Sequence, residues 1–477
     1  MVWRSRGARV LSGFVVVGLV TFAGALGAAS ASGASVDLWV DQAKRGCSDA
    51  QAREKVARET PWCSLQRAVG AARAGDVVWV MPGRYRGTVR PTVSGSASAP
   101  IRFVAPSGGA TIDAAGATVA LQVVGVDWVS FDGFAITGAA GQGVFVDDAS
   151  GVILTHLSVT GNRSQGIQVR ASGLTVSNST ISRNGSGGIS ELAGSAGNVY
   201  RDNTICANGR DGVPINGDGV QLNGVAAIVR GNTINGNGDP GLYEHGIYAG
   251  KSSSDYLIES NTLARNAASD IKAAGSGGTV RYNRLEDSRL GLVFSDNGQP
   301  VSAYYNLIVG KFQHAVFFTT GAGASRARLW DNTIVQTGRL TASGDASALF
   351  IASTALADLR NNLICYTNPD NLGAALFVAD TSRATVVSNR NWLCGSEGQG
   401  RNVALDGVRT TLGRWRSFSG QDAASLSTRP ATFDGDFHVT SRNLGARRGQ
   451  PLGLERDYCG ERISAPIPDI GAYQSPS

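Results

Sequence analysis

The chain has 477 residues, of which 63 are glycine and 17% are charged, while aromatic residues contribute 7%. This composition excludes a helical bundle or a coiled coil, because either would need far more Glu, Lys and Leu. An apolar fraction of 42% also excludes an intrinsically disordered chain. A large β protein with many tight turns is the class that remains. The formal net charge of +6 favours an anionic partner, but part of it lies in the first residues.

The first 34 residues have the three regions of a secretory signal peptide. Arg4, Arg6 and Arg9 precede an apolar run over residues 11–26, and small residues follow as far as Ala34. Without these arginines the charge is 40 minus 37, or +3, which identifies no partner. We therefore predict a secreted, extracellular protein. Its mature part has no membrane span, since no later stretch approaches ~18 consecutive apolar residues. A retained membrane anchor is the alternative.

Two series of short motifs recur along the centre of the chain with a common period. One is Asn-Thr-Ile or a close relative, and the other is a glycine or alanine followed by an apolar strand. The first series begins at Ser179, Asn203, Asn232, Asn261, Asn283, Asn306, Asn332 and Asn362. Steps of 22 to 30 residues hold two or three short strands and no helix. They predict an all-β solenoid of about 12 stacked coils, with its asparagines stacked as a ladder.

The segments that flank the repeat do not share its period. Leu65, Ala68, Val69 and Ala72 lie on one face of a predicted amphipathic helix. A helix at this position would cover the open end of the solenoid core. We predict four segments: a signal peptide at 1–34, an N-terminal cap at 35–77, the solenoid at 78–400 and an irregular C-terminal cap at 401–477.

Both ends of the mature chain resemble secreted right-handed parallel β-helix proteins. Residues 75–85 and 97–101 resemble the start of such proteins, and Pro468-Asp469-Ile470-Gly471-Ala472-Tyr473 is similar to their usual end. The resemblance covers most of the mature chain and implies a right-handed parallel β-helix. It leaves the function open, because this superfamily holds polysaccharide lyases, hydrolases, epimerases and adhesins.

The six cysteines of the chain are able to form disulfide bonds in an exported protein. Cys47 and Cys63 flank a short loop, which favours a bond between them. Cys365 and Cys394 end two equivalent tetrapeptides that lie 29 residues apart. One coil apart, their Cα atoms would be ~4.8 Å from each other, which is within the range of a disulfide. The other two cysteines have no predicted partner.

Polar residues are concentrated on one outer face of the central coils. If Val220, Ile247 and Ile271 point inward, their neighbours along each strand point outward. Successive coils then place Ser190, Gln221, Tyr248, Lys272 and Val293 in one outward column. The polar residues at or near this column form what we name the central patch: Asp218, Gln221, Glu244, His245, Tyr248, Lys251, Lys272 and Asp296.

The spacing within the central patch resembles the active coils of the lyase family that contains chondroitinase B and alginate lyases. The resemblance implies that Lys251 is the catalytic base and that Lys272 stands at the position of an assisting arginine. It also implies that Glu244 binds Ca²⁺, with Asn216 as the nearest match to a second ligand. One expected acidic residue is replaced here by Gly246.

Such lyases remove the C5 proton of a uronic acid and expel the 4-linked sugar. A lysine accepts this proton only when it is neutral, so neighbouring positive charge must lower its pKa. Tyr248 would protonate the leaving oxygen, and His245 is a further catalytic candidate. Gln221, Asp218 and Asp296 are predicted to bind the substrate.

We therefore predict a monomeric lyase that acts on an acidic polysaccharide and has no nucleic-acid partner. A non-catalytic cell-wall or polysaccharide-binding β-helix protein is one alternative. Another is an inverting glycosidase that uses two of Asp218, Asp270 and Asp296, whose carboxyl groups must then lie ~6.5–9.5 Å apart. A C5-epimerase would use the same proton abstraction without breaking the glycosidic bond.

Overall fold

A computed structural model describes most of the chain, and Ser35–Ser477 belongs to one structural unit. The predicted signal peptide and the candidate ligand Asn216 lie outside the described residues. The described part is 35–474 without residues 107, 210–216, 320–323, 339–345, 353, 369–372, 383, 396–399, 441–442 and 464–465.

The described residues form three parallel β-sheets, which we name A, B and C in the order in which each coil visits them. They contain 14, 14 and 13 strands, and each strand pairs with the equivalent strands of the coils before and after it. The last strand of sheet C is the exception, because it pairs antiparallel with the strand before it. The predicted all-β parallel solenoid is confirmed.

Sheet A consists of Asp37–Val40, Val77–Val80, Ile101–Val104, Val129–Asp132, Ile153–Thr155, Thr175–Ser177, Val199–Arg201, Ile228–Arg230, Leu257–Glu259, Thr279–Arg281, Val301–Tyr304, Arg326–Trp330, Leu356–Arg360 and Thr385–Asn389. Sheet B consists of Gly83–Arg86, Ala110–Asp113, Ala135–Thr137, Ser158–Thr160, Thr180–Ser182, Thr204–Cys206, Thr233–Asn235, Thr262–Ala264, Arg284–Glu286, Leu307–Lys311, Thr333–Gly338, Leu363–Tyr366, Trp392–Gly395 and Leu426–Thr428. Sheet C consists of Leu121–Val124, Val144–Ser150, Ile167–Ser172, Ile189–Glu191, Val220–Leu222, His245–Ala249, Ser269–Ala273, Leu290–Phe294, His314–Phe318, Ser347–Ile351, Ala374–Val378, Val403–Leu405 and Val408–Thr410.

Alternate side chains of the strands in all three sheets point into one continuous apolar core. Val220, Ile247 and Ile271 pair in register and are completely buried, as the sequence predicts. Burial of aliphatic side chains is the main favourable contribution to folding. The strict alternation therefore decides which residues of sheet C reach the outer surface.

The predicted asparagine ladder lies inside the turn between sheets A and B. Each amide nitrogen donates to the side-chain oxygen of the next asparagine over 2.9–3.0 Å, which satisfies buried polar groups that would otherwise destabilise the fold. The ladder comprises Asn203, Asn232, Asn261, Asn283, Asn306, Asn332, Asn362 and Asn391. A second ladder, which the motifs did not predict, comprises Asn162, Asn184, Asn208, Asn237 and Asn266.

The N-terminal end of the core is covered by helix α1, Leu65–Ala71, as predicted. Ser64 caps this helix, because its side chain accepts a hydrogen bond from the backbone N–H of Arg67. Leu65, Ala68 and Val69 are buried against the core. A 3₁₀ turn spans Arg53–Lys55.

The other end of the core is covered by helix α2, Leu412–Ser419, which the sequence did not predict. Leu412 and Trp415 are buried in the core cluster. The indole N–H of Trp415 donates to a carboxylate oxygen of Asp422 over 2.7 Å. The helix ends at Gly420, which adopts a positive φ of 70°.

The C-terminal segment folds back along the outer face of sheet B after its last strand. Ile470 joins a buried apolar cluster that includes Leu363 and Trp392. The backbone N–H of Ala472 donates to the hydroxyl of Thr333 over 2.9 Å. The motif that resembles the usual end of β-helix proteins thus packs on the side of the solenoid.

Both predicted disulfides are present. The Cα atoms of Cys47 and Cys63 are 5.1 Å apart, and those of Cys365 and Cys394 are 4.5 Å apart on paired strands of sheet B. Cys206 and Cys459 are not disulfide-bonded. Within the described residues, every helix is too short or too polar to cross a membrane.

Candidate functional site

The predicted outward column is present on sheet C. Gln221 pairs in register with Tyr248, and Tyr248 pairs with Lys272 on the next coil. Ser190 precedes them and donates to the side-chain oxygen of Gln221 over 3.1 Å. Val293 follows Lys272 and is almost completely buried. The alternation of the strands therefore brings an amide, a phenol and an amine together on three adjacent coils.

Tyr248 and Lys272 are in direct contact. The Lys272 ammonium nitrogen lies 5.1 Å from the centre of the Tyr248 ring, which is within the range of a cation–π interaction. Both side chains are half-buried. Burial is the main cause that lowers the pKa of Lys272, and Lys251 adds to this effect, against opposing contributions from Asp218 and Asp296. Burial also raises the pKa of Tyr248, so its hydroxyl keeps its proton.

Asp218 and His245 form the buried floor beside this pair. A carboxylate oxygen of Asp218 accepts the backbone N–H of His245 over 2.6 Å. Burial, with a smaller contribution from the charge of Glu244, raises the pKa of Asp218 to about 7. Burial lowers the pKa of His245 to about 3, and the charge of Lys272 acts in the same direction. The imidazole is therefore neutral at neutral pH.

Ser269 is a site residue that the sequence analysis did not select. Its hydroxyl and Nδ1 of His245 are 2.7 Å apart, and its strand pairs in register with that of His245. The ring of His245 also packs against Tyr248, with 5.5 Å between the ring centres. The position of Ser269, two residues before the inward Ile271, was the signal that could have identified it.

Lys251 lies at the edge of the patch and forms an ion pair with Asp296. Its ammonium nitrogen is 3.1 Å from a carboxylate oxygen of Asp296, and 63% of its side chain is exposed. The pair joins residues 45 positions apart in the chain. The two lysines of the patch thus have different surroundings: Lys251 is exposed and ion-paired, whereas Lys272 is half-buried beside a phenol.

Glu244 binds two backbone N–H groups of neighbouring loops. One carboxylate oxygen accepts from Gly217 over 2.8 Å and the other from Asp239 over 2.7 Å. The side chain is buried. In the described part of the chain, no three His, Cys, Asp or Glu side chains are grouped as metal ligands. Because Asn216 lies outside the described residues, calcium binding stays a prediction.

Asp270 is completely buried and does not reach the central patch. Oδ1 accepts from Asn266 over 3.0 Å and from the hydroxyl of Ser288, while Oδ2 has no hydrogen-bond partner. Burial raises the pKa of this carboxyl group to about 8. Of the three carboxylates named for a glycosidase, Asp218 and Asp296 are the two that belong to the central patch.

Comparison with known families agrees with this architecture. The family model described as "Right handed beta helix region" matches residues 119–243 and 218–407. Together the matches span more than half of the chain, so the chain belongs to this family. The predicted right-handed parallel β-helix is thereby confirmed. No curated protein matches the chain.

Several solved structures are similar to this chain at low sequence identity. The structure of XylC in complex with xylose matches with a TM-score of 0.55 and 11% identity, over 92% of this chain and 98% of that chain. Pectate lyase Pel9A matches with a TM-score of 0.42 and 17% identity, over 92% and 97%. An alginate lyase from Paenibacillus sp. str. FPU-7 matches with a TM-score of 0.40 and 18% identity, over 58% and 93%. The match to XylC shows likeness of fold alone.

Proposed function

We propose that the protein is a secreted polysaccharide lyase that cleaves a polymer containing uronic acid at the central patch. The observation that carries this proposal is the pair of Tyr248 and Lys272. A half-buried lysine with a lowered pKa lies 5.1 Å from a phenol with a raised pKa. A lowered pKa increases the neutral fraction of Lys272, and the neutral amine is the base that β-elimination requires, while the protonated phenol is the acid.

The proposed reaction uses the side chains on adjacent coils. In its neutral form, the amine of Lys272 takes the proton from C5 of the uronate. The electron pair of that C–H bond forms the C4–C5 double bond, and the bond from C4 to the leaving oxygen breaks. Tyr248 gives its proton to this oxygen, and the phenolate regains a proton from the Lys272 ammonium through water. Each proton transfer in this sequence is made by a side chain of the patch.

Lys251 has a different part in this proposal from the one that the family resemblance implies. It is exposed and carries its positive charge beside Asp296. At this position it faces the uronate carboxylate, where negative charge grows as the C5 proton leaves. A positive charge aimed at developing negative charge lowers the barrier. The same charge contributes to the lowered pKa of Lys272.

The test is to incubate the mature protein with pectate, alginate and glycosaminoglycans and to record the ultraviolet absorbance of the conjugated double bond. Each reaction is run with calcium and with a chelator. A slower rise with the chelator would show that the reaction needs calcium, as the family resemblance implies, whereas an equal rise would show that the side chains of the central patch act without it. Release of reducing ends without absorbance would identify a hydrolase and contradict the proposal.

Three lysine variants separate the assigned roles. Lys272→Met should lower turnover ~10²–10⁴-fold, the usual contribution of general base catalysis. Lys251→Met should lower kcat less than Lys272→Met does and move the pH optimum upward, because it removes a charge that meets the developing negative charge and that lowers the pKa of Lys272. Lys311→Met, at an exposed position of sheet B, should change neither kcat nor KM. If Lys251→Met abolishes turnover while Lys272→Met retains it, Lys251 is the base. The proposed assignment of Lys272 as the base would then be wrong.

A further inference from the structure

The outer face of sheet A has a column of charged and aromatic residues that the proposed lyase chemistry does not use. These residues pair in register over seven consecutive coils. Because neighbouring strands are ~4.8 Å apart, the column is about 29 Å long. Arg328, in the adjacent column, points to the same face. We name this set the sheet A strip: Arg201, Arg230, Glu259, Arg281, Tyr304, Arg328, Trp330 and Arg360.

Two arginines of the strip are held in place by one buried carboxylate. Glu259 has only 8% of its side chain exposed, and its two oxygens bind Arg230 and Arg281, the second over 2.6 Å. Half of the Arg230 side chain and a third of the Arg281 side chain are still exposed. A guanidinium that is already oriented loses less conformational entropy when it binds a ligand.

The arginines of the strip outnumber the acidic groups near them. Two carboxylates besides Glu259 lie beside the strip: Asp202 contacts Arg201 at 2.8 Å, and Asp358 contacts Arg360 at 2.7 Å. Five arginines against three carboxylates leave a net charge of +2. The excess is moderate and is spread along the strip.

Aromatic rings lie between the cations of the strip. The guanidinium of Arg281 is 5.9 Å from the centre of the Tyr304 ring and donates to the Tyr304 hydroxyl over 3.1 Å. The guanidinium of Arg328 is 5.9 Å from the Trp330 ring. Both rings are half-buried, so their remaining surface is fixed on the face of the sheet.

We propose that the sheet A strip binds an acidic polysaccharide that lies along the axis of the solenoid. Each exposed guanidinium group is able to donate two parallel hydrogen bonds to a carboxylate or sulfate group. The aromatic rings, which are held on the face of the sheet, are able to stack on the apolar faces of sugars. The strip is a separate surface from the central patch on sheet C. It would bind the polymer whether or not the central patch cleaves it.

Charge density favours a polysaccharide over a nucleic acid. A nucleic acid strand has a phosphate about every 3.4 Å, so eight or nine phosphates would lie along the strip. Against these phosphates, the column has four arginines, and the negative charges of Glu259 within it and of Asp358 beside it would repel a phosphate backbone. A polymer with one anionic group every one or two sugars leaves fewer charges unpaired on such a surface.

The test measures binding in the Lys272→Met variant, so that cleavage at the central patch does not interfere. Alginate, pectate and chondroitin sulfate are the probes in affinity electrophoresis and titration calorimetry, with dextran and a single-stranded DNA 20-mer as comparisons. The strip variant is Arg201→Glu with Arg328→Glu, which leaves the contacts of Glu259 intact. Arg102→Glu is the matched control, because Arg102 is an exposed residue on the same face of sheet A, several coils before the strip.

We expect at least one acidic polysaccharide to bind and the strip variant to bind it about tenfold more weakly, with a shallower dependence on salt. Arg102→Glu should change the affinity less than about twofold. Tyr304→Ala should weaken binding without changing the salt dependence. The proposal is overturned if no acidic polysaccharide binds, if the strip variant and the control lose affinity equally, or if the DNA binds more tightly than every polysaccharide.

Discussion

Substitution of Asp270 by asparagine tests whether the interior of the solenoid holds a protonated carboxyl group. Asp270 is completely buried, Oδ2 has no hydrogen-bond partner, and its pKa rises from 3.8 to about 8. Between these two values the folded state holds a proton that the unfolded state has lost. The free energy of unfolding therefore falls as the pH rises through this range.

The size of the effect follows from the same shift. One proton of difference changes the free energy of unfolding by ~1.4 kcal/mol per pH unit. The asparagine side chain has nearly the same shape as that of Asp270 and accepts the same two hydrogen bonds, but it does not titrate. The stability of the natural protein relative to Asp270→Asn should fall by ~2.7 kcal/mol between pH 5 and pH 7 and become constant above about pH 8.

Urea unfolding at pH 5, 6, 7 and 8, followed by tryptophan fluorescence, measures this difference. Asp218 and His245 titrate equally in the natural protein and in Asp270→Asn. Their contributions therefore cancel in the difference between the two free energies of unfolding. Asp147→Asn is the control: Arg170 lowers the pKa of Asp147, so its contribution is lost only below about pH 4 and stays constant in this range. A relative stability of Asp270→Asn that does not change between pH 5 and pH 7 would refute the reasoning.

Three further predictions concern the scaffold. Asn306→Ala should lower the free energy of unfolding by ~2–5 kcal/mol, because it leaves buried partners of the ladder unsatisfied. Asn235→Ala, on the outer side of sheet B, should have little effect, and urea unfolding compares the two variants. Cys365→Ser should cost ~2–4 kcal/mol and leave the thiol of Cys394, which is buried in the folded protein, open to labelling after unfolding without reductant; labelling of Cys394 in the unfolded natural protein would show that the bond is absent. Trp415→Ala should cost ~3–5 kcal/mol and expose the core end to limited proteolysis; an unchanged digestion pattern would contradict the capping role of α2.

The sequence predicted the register of the central coils correctly because two local patterns agree. Inward residues alternate with outward ones, and an asparagine recurs at the same turn of each coil. Together these patterns are enough to align Gln221, Tyr248 and Lys272 in the column that they form on sheet C. The same alignment placed Cys365 beside Cys394.

Features that depend on loops or on distant contacts were not predictable in this way. Glu244 accepts N–H groups from two loops whose paths no repeat specifies, so its surroundings could not be read from the sequence. The roles that the family resemblance implies for Lys251 and Lys272 take no account of their burial, which depends on packing between coils. Helix α2 lies beyond the last regular coil, where the hydrophobic period ends.

Among the described residues, the C-terminal segment returns over sheet B and not over the outer face of sheet A or sheet C. Ile470 and Ala472 lie against sheet B, whereas the central patch and the sheet A strip are on the other two sheets. A bead, a surface or a fusion partner attached through this segment would therefore leave both candidate polymer-binding faces accessible. The C-terminal segment is therefore a suitable point of attachment for an immobilised form of the protein.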